Sequence, residues 1–462
     1  MPDNQWTRNV YPPGGRAIQV VDRYRATYQR HETSSERGAQ ELKKIQPRQS
    51  IDASIRIPGS KSITHRALIA ASLANGESLL KDFLTSKDTL YTVNALRQLG
   101  VKISIEGENI TISGSGGKFL PAVDRKEIFL GNSGTSYRLL LSTVALARGE
   151  YILYGAPRMY ERPIGDLVKA LKKLGVEVTY IEKDNFPPLF IRAKGIYGGK
   201  VQMTVNKSSQ YVSSLLLAGP YAKKDLEIKI TGRLVSRPYV DITLDVMEKF
   251  GVHVDRDRYN YFNVPAGYGY LPSQFSIEGD VSAASYFWAA AAVTGGIVIT
   301  KNIRPYTTKQ GDIAFLDVLE EMGCRIEREN DWVSVHGGAL SGVEVDMGAM
   351  PDMVPTLAAI ALFADGKTAI QNVSHLRYKE SDRLKAIAVE LSRIGSRVKE
   401  LGDGLIIYGG RRLSGATMES HNDHRLAMSL AVVGLKVPGI TIKDENCVNK
   451  SFPQFWELWN KL

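Results

Sequence analysis

One apolar, alanine-rich segment recurs six times between residue 51 and residue 462, and that recurrence constrains the fold more than any other feature. The copies are KSITHRALIAASLANG (61–76), SGTSYRLLLSTVALARG (133–149), SQYVSSLLLAGPYA (209–222), SAASYFWAAAAVTGG (282–296), DMVPTLAAIALFADG (352–366) and HRLAMSLAVVGLKVPG (424–439). Each opens on small or polar residues, and most close near glycine. Apolar residues fall on nearly every helical face, which predicts six helices buried all round. A short β-rich run follows each one: SLLKDF, YILYG, LEIKITG, IVITKNI, KTAIQNV and ITIKD.

A second element alternates with the first. SKDTLYTVNALRQLG (86–100), IGDLVKALKKLG (164–175), VDITLDVMEKFG (240–251), GDIAFLDVLEEMG (311–323), SDRLKAIAVELSRIG (381–395) and SFPQFWELWNKL (451–462) read as amphipathic helices with a charged face. The first five end in glycine, an ordinary helix stop. A strand and hairpin follow each of those five, as in VKISIEGENITISG (101–114). The unit is strand, buried helix, strand, exposed helix and two strands. Dividing residues 51–462 by six gives about 69 residues per unit. A βαβαββ unit of that kind cannot bury its apolar face alone. The fold class is therefore α/β (α+β), six units packed with alanine-rich helices inside and sheets outside. Three units per lobe, two lobes and a cleft between them is the expected grouping, which periodicity alone does not set.

Bulk properties narrow the function. A chain of 462 residues, 43% hydrophobic and 23% charged, is a globular protein of more than one domain. Its longest apolar run, FWAAAAVTGGIVI (287–299), is too short to span a bilayer and is broken by Gly-Gly. Two cysteines, Cys324 and Cys447, form neither a disulfide framework nor a zinc cluster and fit a reducing cytoplasm. The net charge of +10 suits nucleic acid or an anionic small substrate. Because it is not gathered into one basic block, the second reading is favoured. Residues 1–50 hold nine Lys/Arg, five Asp/Glu and one leucine, Leu42, and predict a poorly ordered basic extension.

The polar motifs fall at the starts of the predicted helices. A helix N-terminus offers unpaired N–H groups and about half a positive charge, so several converging on one cleft make an anion site. Ser60-Lys61-Ser62, GNSGT (131–135), KSSQ (207–210), Pro351-Asp352 and NDHR (422–425) open buried helices. ERP (161–163), VSRPY (235–239), RYKESDR (377–383) and NKSFP (449–453) open exposed ones. Taken singly, Ser, Thr, Asp and Asn at these places are N-caps. Taken together, lysine or arginine beside so many equivalent starts points to an anionic ligand. His421 and His424 lack an evident third metal ligand. The run SGSGGK (113–118) lacks P-loop spacing, and there is no GxSxG nucleophile elbow.

PGSKSITHRAL, LGNSGTSYR, PRMYERPIGDL, SSQY, LVSRPYVDIT, EGDVSAASYF, LRYKESDRL, NDHRLAM and KSFPQFW together resemble the enolpyruvyl transferases, specifically the EPSP synthase branch, over essentially all of residues 51–462. The resemblance implies two lobes of three units each, residues 60–277 forming one and residues 51–59 with 278–462 the other, and an active site in the interlobe cleft. It also implies a cytoplasmic monomer that needs no cofactor or metal and binds neither nucleic acid nor membrane. Its partners would be shikimate-3-phosphate and phosphoenolpyruvate, joined through the 5-hydroxyl of the former with release of phosphate. These substrates carry roughly five to six negative charges at neutral pH. Lys61, Arg66, Arg158, Lys379, Arg383, Arg425 and Lys450 would match that load.

By the same resemblance, Lys61, Ser62, Arg66, Ser208, Ser209, Gln210, Ser236, Tyr239, Asp352 and Lys379 bind shikimate-3-phosphate. Ser62 and Arg66 take its carboxylate; Ser208, Ser209, Ser236 and Lys379 take its phosphate. Lys61, Asn132, Gly134, Arg158, Gln210, Arg383, Arg425 and Lys450 surround phosphoenolpyruvate, with Gly134 leaving room for a small substrate. Asp352 is the candidate base toward the hydroxyl, and Glu380 and Lys61 are the candidates for proton transfer at the methylene. His375 stands where some relatives carry asparagine. Ser133, Ser136 and Leu139 replace the usual Ala, Ala and Pro. The sister enzyme acting on UDP-N-acetylglucosamine usually has Asn-Lys-Asn at 60–62 and a loop cysteine, which this chain lacks. Repulsion among the cleft cations predicts lobes that stand apart until the anions bind.

Overall fold

The computed structural model describes residues 42–462. The six alanine-rich segments form helices Lys61–Leu73, Gly134–Ala145, Gln210–Ala218, Val281–Thr294, Val354–Ala361 and His424–Gly434. They are buried almost throughout. Their small residues permit close approach: Ser142 and Ser214 bring their hydroxyls within 2.7 Å across two adjacent helices. The charged-face segments form helices Lys87–Gln98, Gly165–Lys173, Pro238–Lys249, Phe315–Glu321, Arg383–Arg393 and the short Phe455–Trp459. Gly100, Gly175, Gly251, Gly323 and Gly395 follow the first five at φ between +80° and +112°, where a side chain would strain the backbone.

The strands form five four-stranded sheets and one of three strands. In three of the four-stranded sheets the strand before a buried helix runs parallel to the strand after it, and an antiparallel hairpin completes all five. Lys126–Phe129 thus pairs in parallel with Arg148–Tyr154, followed by antiparallel Leu189–Lys194 and Glu177–Tyr180. Two strands are exchanged. Asp52–Arg56 precedes the first buried helix yet pairs with Ile297–Lys301, while Gln274–Ser276 pairs with Leu79, Leu80 and Lys81.

The apolar interior splits in the same way. One core runs from Ile63 to Ile277, and the other takes Ile45 to Ile57 and Val281 to Trp459. The chain therefore crosses between the two bodies twice, and the crossings meet at a bridge between Gly59 and Gly279.

Residues 42–50, expected as part of a poorly ordered extension, instead belong to the second body. Leu42–Lys44 pairs antiparallel with Thr441–Lys443, which pairs in turn with Thr417–Met418. Ile45 is buried, and its N–H donates to the Ile440 carbonyl at 3.0 Å. The last unit has no hairpin of its own, so the N-terminal strand covers the edge it leaves. The remainder of that expectation, residues 1–41, lies outside the described residues. No described helix is long and apolar enough to cross a membrane.

Candidate active site

Four buried-helix starts converge where the two bodies face each other. Lys61 and Ser62, Thr135 and Arg138, Ser208, Ser209 and Gln210, and His424 and Arg425 line one cavity. Asp352 enters from the turn Pro351–Met353. His375, Tyr378, Lys379, Glu380 and Arg383, together with Ser236, Tyr239, Lys207 and Arg162, complete the wall. A fifth start is spent on structure: the Asp280 carboxylate accepts from Ala283 N–H at 3.0 Å and from Lys61 N–H at 2.9 Å, capping two helices across the crossing.

Asp352 is the electrostatic hub. One carboxylate oxygen lies 2.9 Å from Arg383 Nη1 and 3.6 Å from Lys379 Nζ; the other lies 2.9 Å from Arg425 Nη2 and accepts from the Tyr239 hydroxyl at 3.0 Å. Burial opposes its charge, but Arg425, Lys379 and Arg383 outweigh burial and hold the carboxyl well below the usual range. Glu380 is alike: Arg383 Nη2 sits at 2.9 Å and Arg162 Nη2 at 3.4 Å, and Arg162, Arg383 and Lys450 outweigh burial to keep it ionised. Arg383 also donates from Nε to Asp423 at 2.8 Å. Behind the wall, Asp88 pairs with Lys450 at 2.7 Å and Lys61 at 3.5 Å; these cations outweigh burial and lower its pKa.

The cavity thus brings together Lys61, Ser62, Ser208, Ser209, Gln210, Ser236, Tyr239, Asp352, Lys379, Glu380, Arg383 and Arg425. The other expected residues stand behind it. Arg66 is fully buried and donates to Thr243 Oγ1 (2.7 Å), the carbonyls of Ser62 (2.8 Å) and Tyr239 (3.1 Å), and Ser213 Oγ (3.4 Å). With its donors spent on the protein, it braces two wall residues rather than facing a ligand. Arg158 clamps the backbone of the opposite body through the carbonyls of Glu380, Lys379 and Arg377 (3.1–3.4 Å). The Asn132 carbonyl accepts from Arg162 (2.9 Å) and Lys450 (2.8 Å). A Cβ on Gly134 would lie 2.4 Å from the Arg162 guanidinium, so this glycine makes room for an arginine as its first task.

The two bodies are in contact, and carboxylates stand among the cleft cations. Asp88, Asp352, Glu380 and Asp423 neutralise much of the charge, and Arg162–Glu380, Lys450–Asp88 and Tyr239–Asp352 join the two bodies directly.

His424 lies in the wall, buried, with neither ring nitrogen hydrogen-bonded; burial, Lys61 and Arg425 keep it neutral. His421 turns away to Glu390, its Nε2 at 2.8 Å, so the two histidines do not converge. His375 Nε2 lies 3.3 Å from Ser236 Oγ across the interface, and burial with Lys379 pushes its pKa down to about 4. Cys324 is pushed up to about 11 by burial and Cys447 is also raised; neither lines the cavity.

The family model described as EPSP synthase (3-phosphoshikimate 1-carboxyvinyltransferase) matches residues 45–459. The chain belongs to the EPSP synthase family. It is 43% identical over 421 residues to the 3-phosphoshikimate 1-carboxyvinyltransferase of Aliivibrio salmonicida, covering 90% of this chain and 98% of the relative. The enzyme of that name from Vibrio vulnificus is 43% identical over 415 residues, 89% and 97% of the two chains. An EPSP synthase structure from Acinetobacter baumannii superposes with a TM-score of 0.77 at 28% identity, covering 92% of this chain and 98% of that one.

Sequence reasoning missed several residues of this EPSP synthase-family cavity. Arg138 donates to Gln210 Oε1 at 2.9 Å, and burial lowers its pKa to about 10. It lies four residues after Gly134, one helical turn along the same face, which is a signal the sequence carried. Arg162 sits inside the ERP run but had been given no role. His424 was weighed only as a metal ligand, and Asp88 and Asp423, which stand behind the wall, were hidden because a carboxylate at a helix start reads as a cap.

Proposed function

We infer that this chain transfers the enolpyruvyl group of phosphoenolpyruvate to the 5-hydroxyl of shikimate-3-phosphate and releases phosphate. The observation that carries the inference is a pair of largely buried, ionised carboxylates, Asp352 and Glu380, set among Lys61, Arg138, Arg162, Lys379, Arg383 and Arg425. A site with that many cations and only two carboxylates on its wall suits a polyanionic ligand and proton transfer beside it.

The product keeps a carbon–carbon double bond, so transfer is an addition followed by an elimination. In the addition the hydroxyl oxygen bonds to the enol carbon, loses its proton, and the methylene gains one. In the elimination the phosphate oxygen leaves and the methyl carbon returns a proton. Asp352 takes the hydroxyl proton. Three cations and a tyrosine weaken it as a base; substrate anions that engage Lys379, Arg383 and Arg425 relieve that hold and strengthen it. Lys61 delivers the proton to the methylene. Glu380, kept anionic, is suited to take it back. Ser208, Ser209 and Ser236 supply hydroxyl donors for the phosphate on the shikimate ring, with Lys379 as its counter-charge, and Ser62 takes the carboxylate.

We further propose that residues 60–277 and residues 51–59 with 278–462 move as two lobes, that the enzyme is a cytoplasmic monomer, and that it needs no cofactor. The deciding experiment is phosphate release with shikimate-3-phosphate and phosphoenolpyruvate, beside Lys61→Ala and a UDP-N-acetylglucosamine control. Release that requires shikimate-3-phosphate and falls about 100-fold or more in the variant is the expected result. Release with the nucleotide sugar alone overturns the assignment.

A further inference from the structure

The mechanism above asks Asp352 to act as a base while three cations suppress its basicity. A second carboxyl nearby answers that difficulty. Asp312 lies on the turn Gly311–Ala314 and is 5% exposed. That turn packs against helix Val281–Thr294 and against Pro351–Met353, the turn that carries Asp352. Gly311 is in contact with Pro238, at the start of the helix that carries Tyr239. One carboxyl oxygen of Asp312 accepts from the Ser282 hydroxyl; the other has no hydrogen-bond partner.

This sets Asp312 apart from Asp280 and Asp423, whose carboxylates are spent on helix caps and, at Asp423, on Arg383. The groups that act on it come from every packed element: Ser282 and Asp280 from the helix start, Asp352 from the adjoining turn, Arg425 from helix His424–Gly434, and Tyr239 across the interface. It has no ion-pair contact of its own, whereas Asp352 takes three cations.

We propose that Asp312 is a positioning residue for the transfer reaction, a buried carboxyl paired with Asp352 whose ionisation sets how strongly Asp352 draws the 5-hydroxyl proton. Two neighbouring buried carboxyls do not ionise with equal ease; the one with cations loses its proton and the one without keeps it. Burial first, and then the charge of Asp352, push Asp312 up to about 7. Below that pH Asp312 is neutral and Asp352 is the weaker base. Above it the new negative charge repels the Asp352 carboxylate and raises its proton affinity.

This inference rests on Asp352 being the base, so its test has one arm that needs no turnover. Infrared difference spectra of the whole enzyme between pH 5.5 and 8.5 are expected to show a buried protonated-carboxyl band that titrates near pH 7 and is missing in Asp312→Asn. Absence of that band from the wild-type spectrum overturns the proposal whatever the reaction. In the second arm kcat is measured against pH at saturating substrates. Wild-type kcat is expected to climb through neutrality. Asp312→Asn is expected to lose that climb, with kcat about tenfold lower at pH 8.5 and both KM values within twofold of wild type, since one pKa unit of base strength is tenfold. Ser282→Ala removes a hydrogen bond that favours ionised Asp312 and is expected to move the climb to higher pH. An Asp312→Asn profile that overlays the wild type overturns the proposal; if that variant does not fold, an unshifted climb in Ser282→Ala does the same.

Discussion

The two walls of the cavity are built from different chemistry. The first lobe contributes Ser62, Thr135, Ser208, Ser209, Gln210, Ser236 and Tyr239, with Lys61, Arg138, Arg162 and Lys207, and not one carboxylate. The second contributes Asp352 and Glu380, with His375, Tyr378, Lys379, Arg383, His424 and Arg425. Neutral donors hold an anion without changing their own protonation, and of the cations beside them Lys61 and Arg162 reach carboxylates off that wall, Asp88 and Glu380. Carboxylates interleaved with cations hold protons at adjustable strength. The first wall is thus mainly a binding surface, with Lys61 its one proposed proton donor, and the second carries the carboxylates proposed to take protons.

The sharpest way to break this division is Asp352→Asn. It removes the base and also frees Arg383, Arg425 and Lys379 from their shared partner. The expected outcome is kcat lowered by about 10³-fold, with shikimate-3-phosphate bound as tightly as before or more so in calorimetry. Loss of binding to the same degree as kcat would mean that the second wall binds as much as it reacts.

Gly134→Ala tests how far the first wall depends on packing. Its Cβ would meet the Arg162 guanidinium at 2.4–2.9 Å and push it off Glu380 and the Asn132 carbonyl. The KM for phosphoenolpyruvate is expected to rise about tenfold or more, reflecting one or two charge-assisted hydrogen bonds. Ser208→Ala should do less: about a five- to tenfold rise in the KM for shikimate-3-phosphate at nearly constant kcat, the loss of one hydroxyl donor.

Both walls were legible in part. Hydroxyl and amide residues gathered at helix starts pointed to Ser62, Ser208, Ser209 and Gln210, which all reach the cavity, whereas Thr135, Arg138, Arg162 and Lys207 on the same wall carried no predicted role. The six buried helices were equally plain, since a segment apolar on every face can only lie inside. What sequence could not rank was depth. Arg66, Arg158, Asn132 and Lys450 sit in motifs as prominent as those of Arg383 and Arg425, yet their donors and acceptors are turned on the protein. Arginine near a cleft can touch the ligand or brace the residue that does, and only the positions of carbonyls such as those of Ser62 and Glu380 decide which. The strand Leu42–Lys44 was missed for a related reason. Three residues in a polar stretch carry no period, and their place is set by an edge about four hundred positions away.

That strand offers a smaller test, away from both walls. Ile45 fills a pocket against Gly434 in the second core. Ile45→Ala is expected to cost about 2–4 kcal/mol of stability, seen as a lower Tm in the absence of substrate with KM values unchanged. If KM for phosphoenolpyruvate rises as well, the final sheet also sets the position of Lys450, and the second wall is less rigid than its packing indicates.

The smallest effect concerns the one side-chain hydrogen bond that joins the walls through a histidine. His375 is neutral in the folded protein with its pKa near 4, against 6.5 for the free side chain. The unfolded chain therefore binds the extra proton first, so this residue makes stability fall as pH drops from about 6.5 toward 4. Protonation also places a positive imidazolium beside Lys379. His375→Asn should flatten part of the decline in Tm over that window, by a few degrees at most, while leaving the neutral-pH Tm close to wild type. If the slope is unchanged, the acid sensitivity belongs to His65 and His424, whose burial also keeps them neutral. The seam between the walls would then be indifferent to proton load, and the second wall would handle protons through its carboxylates alone.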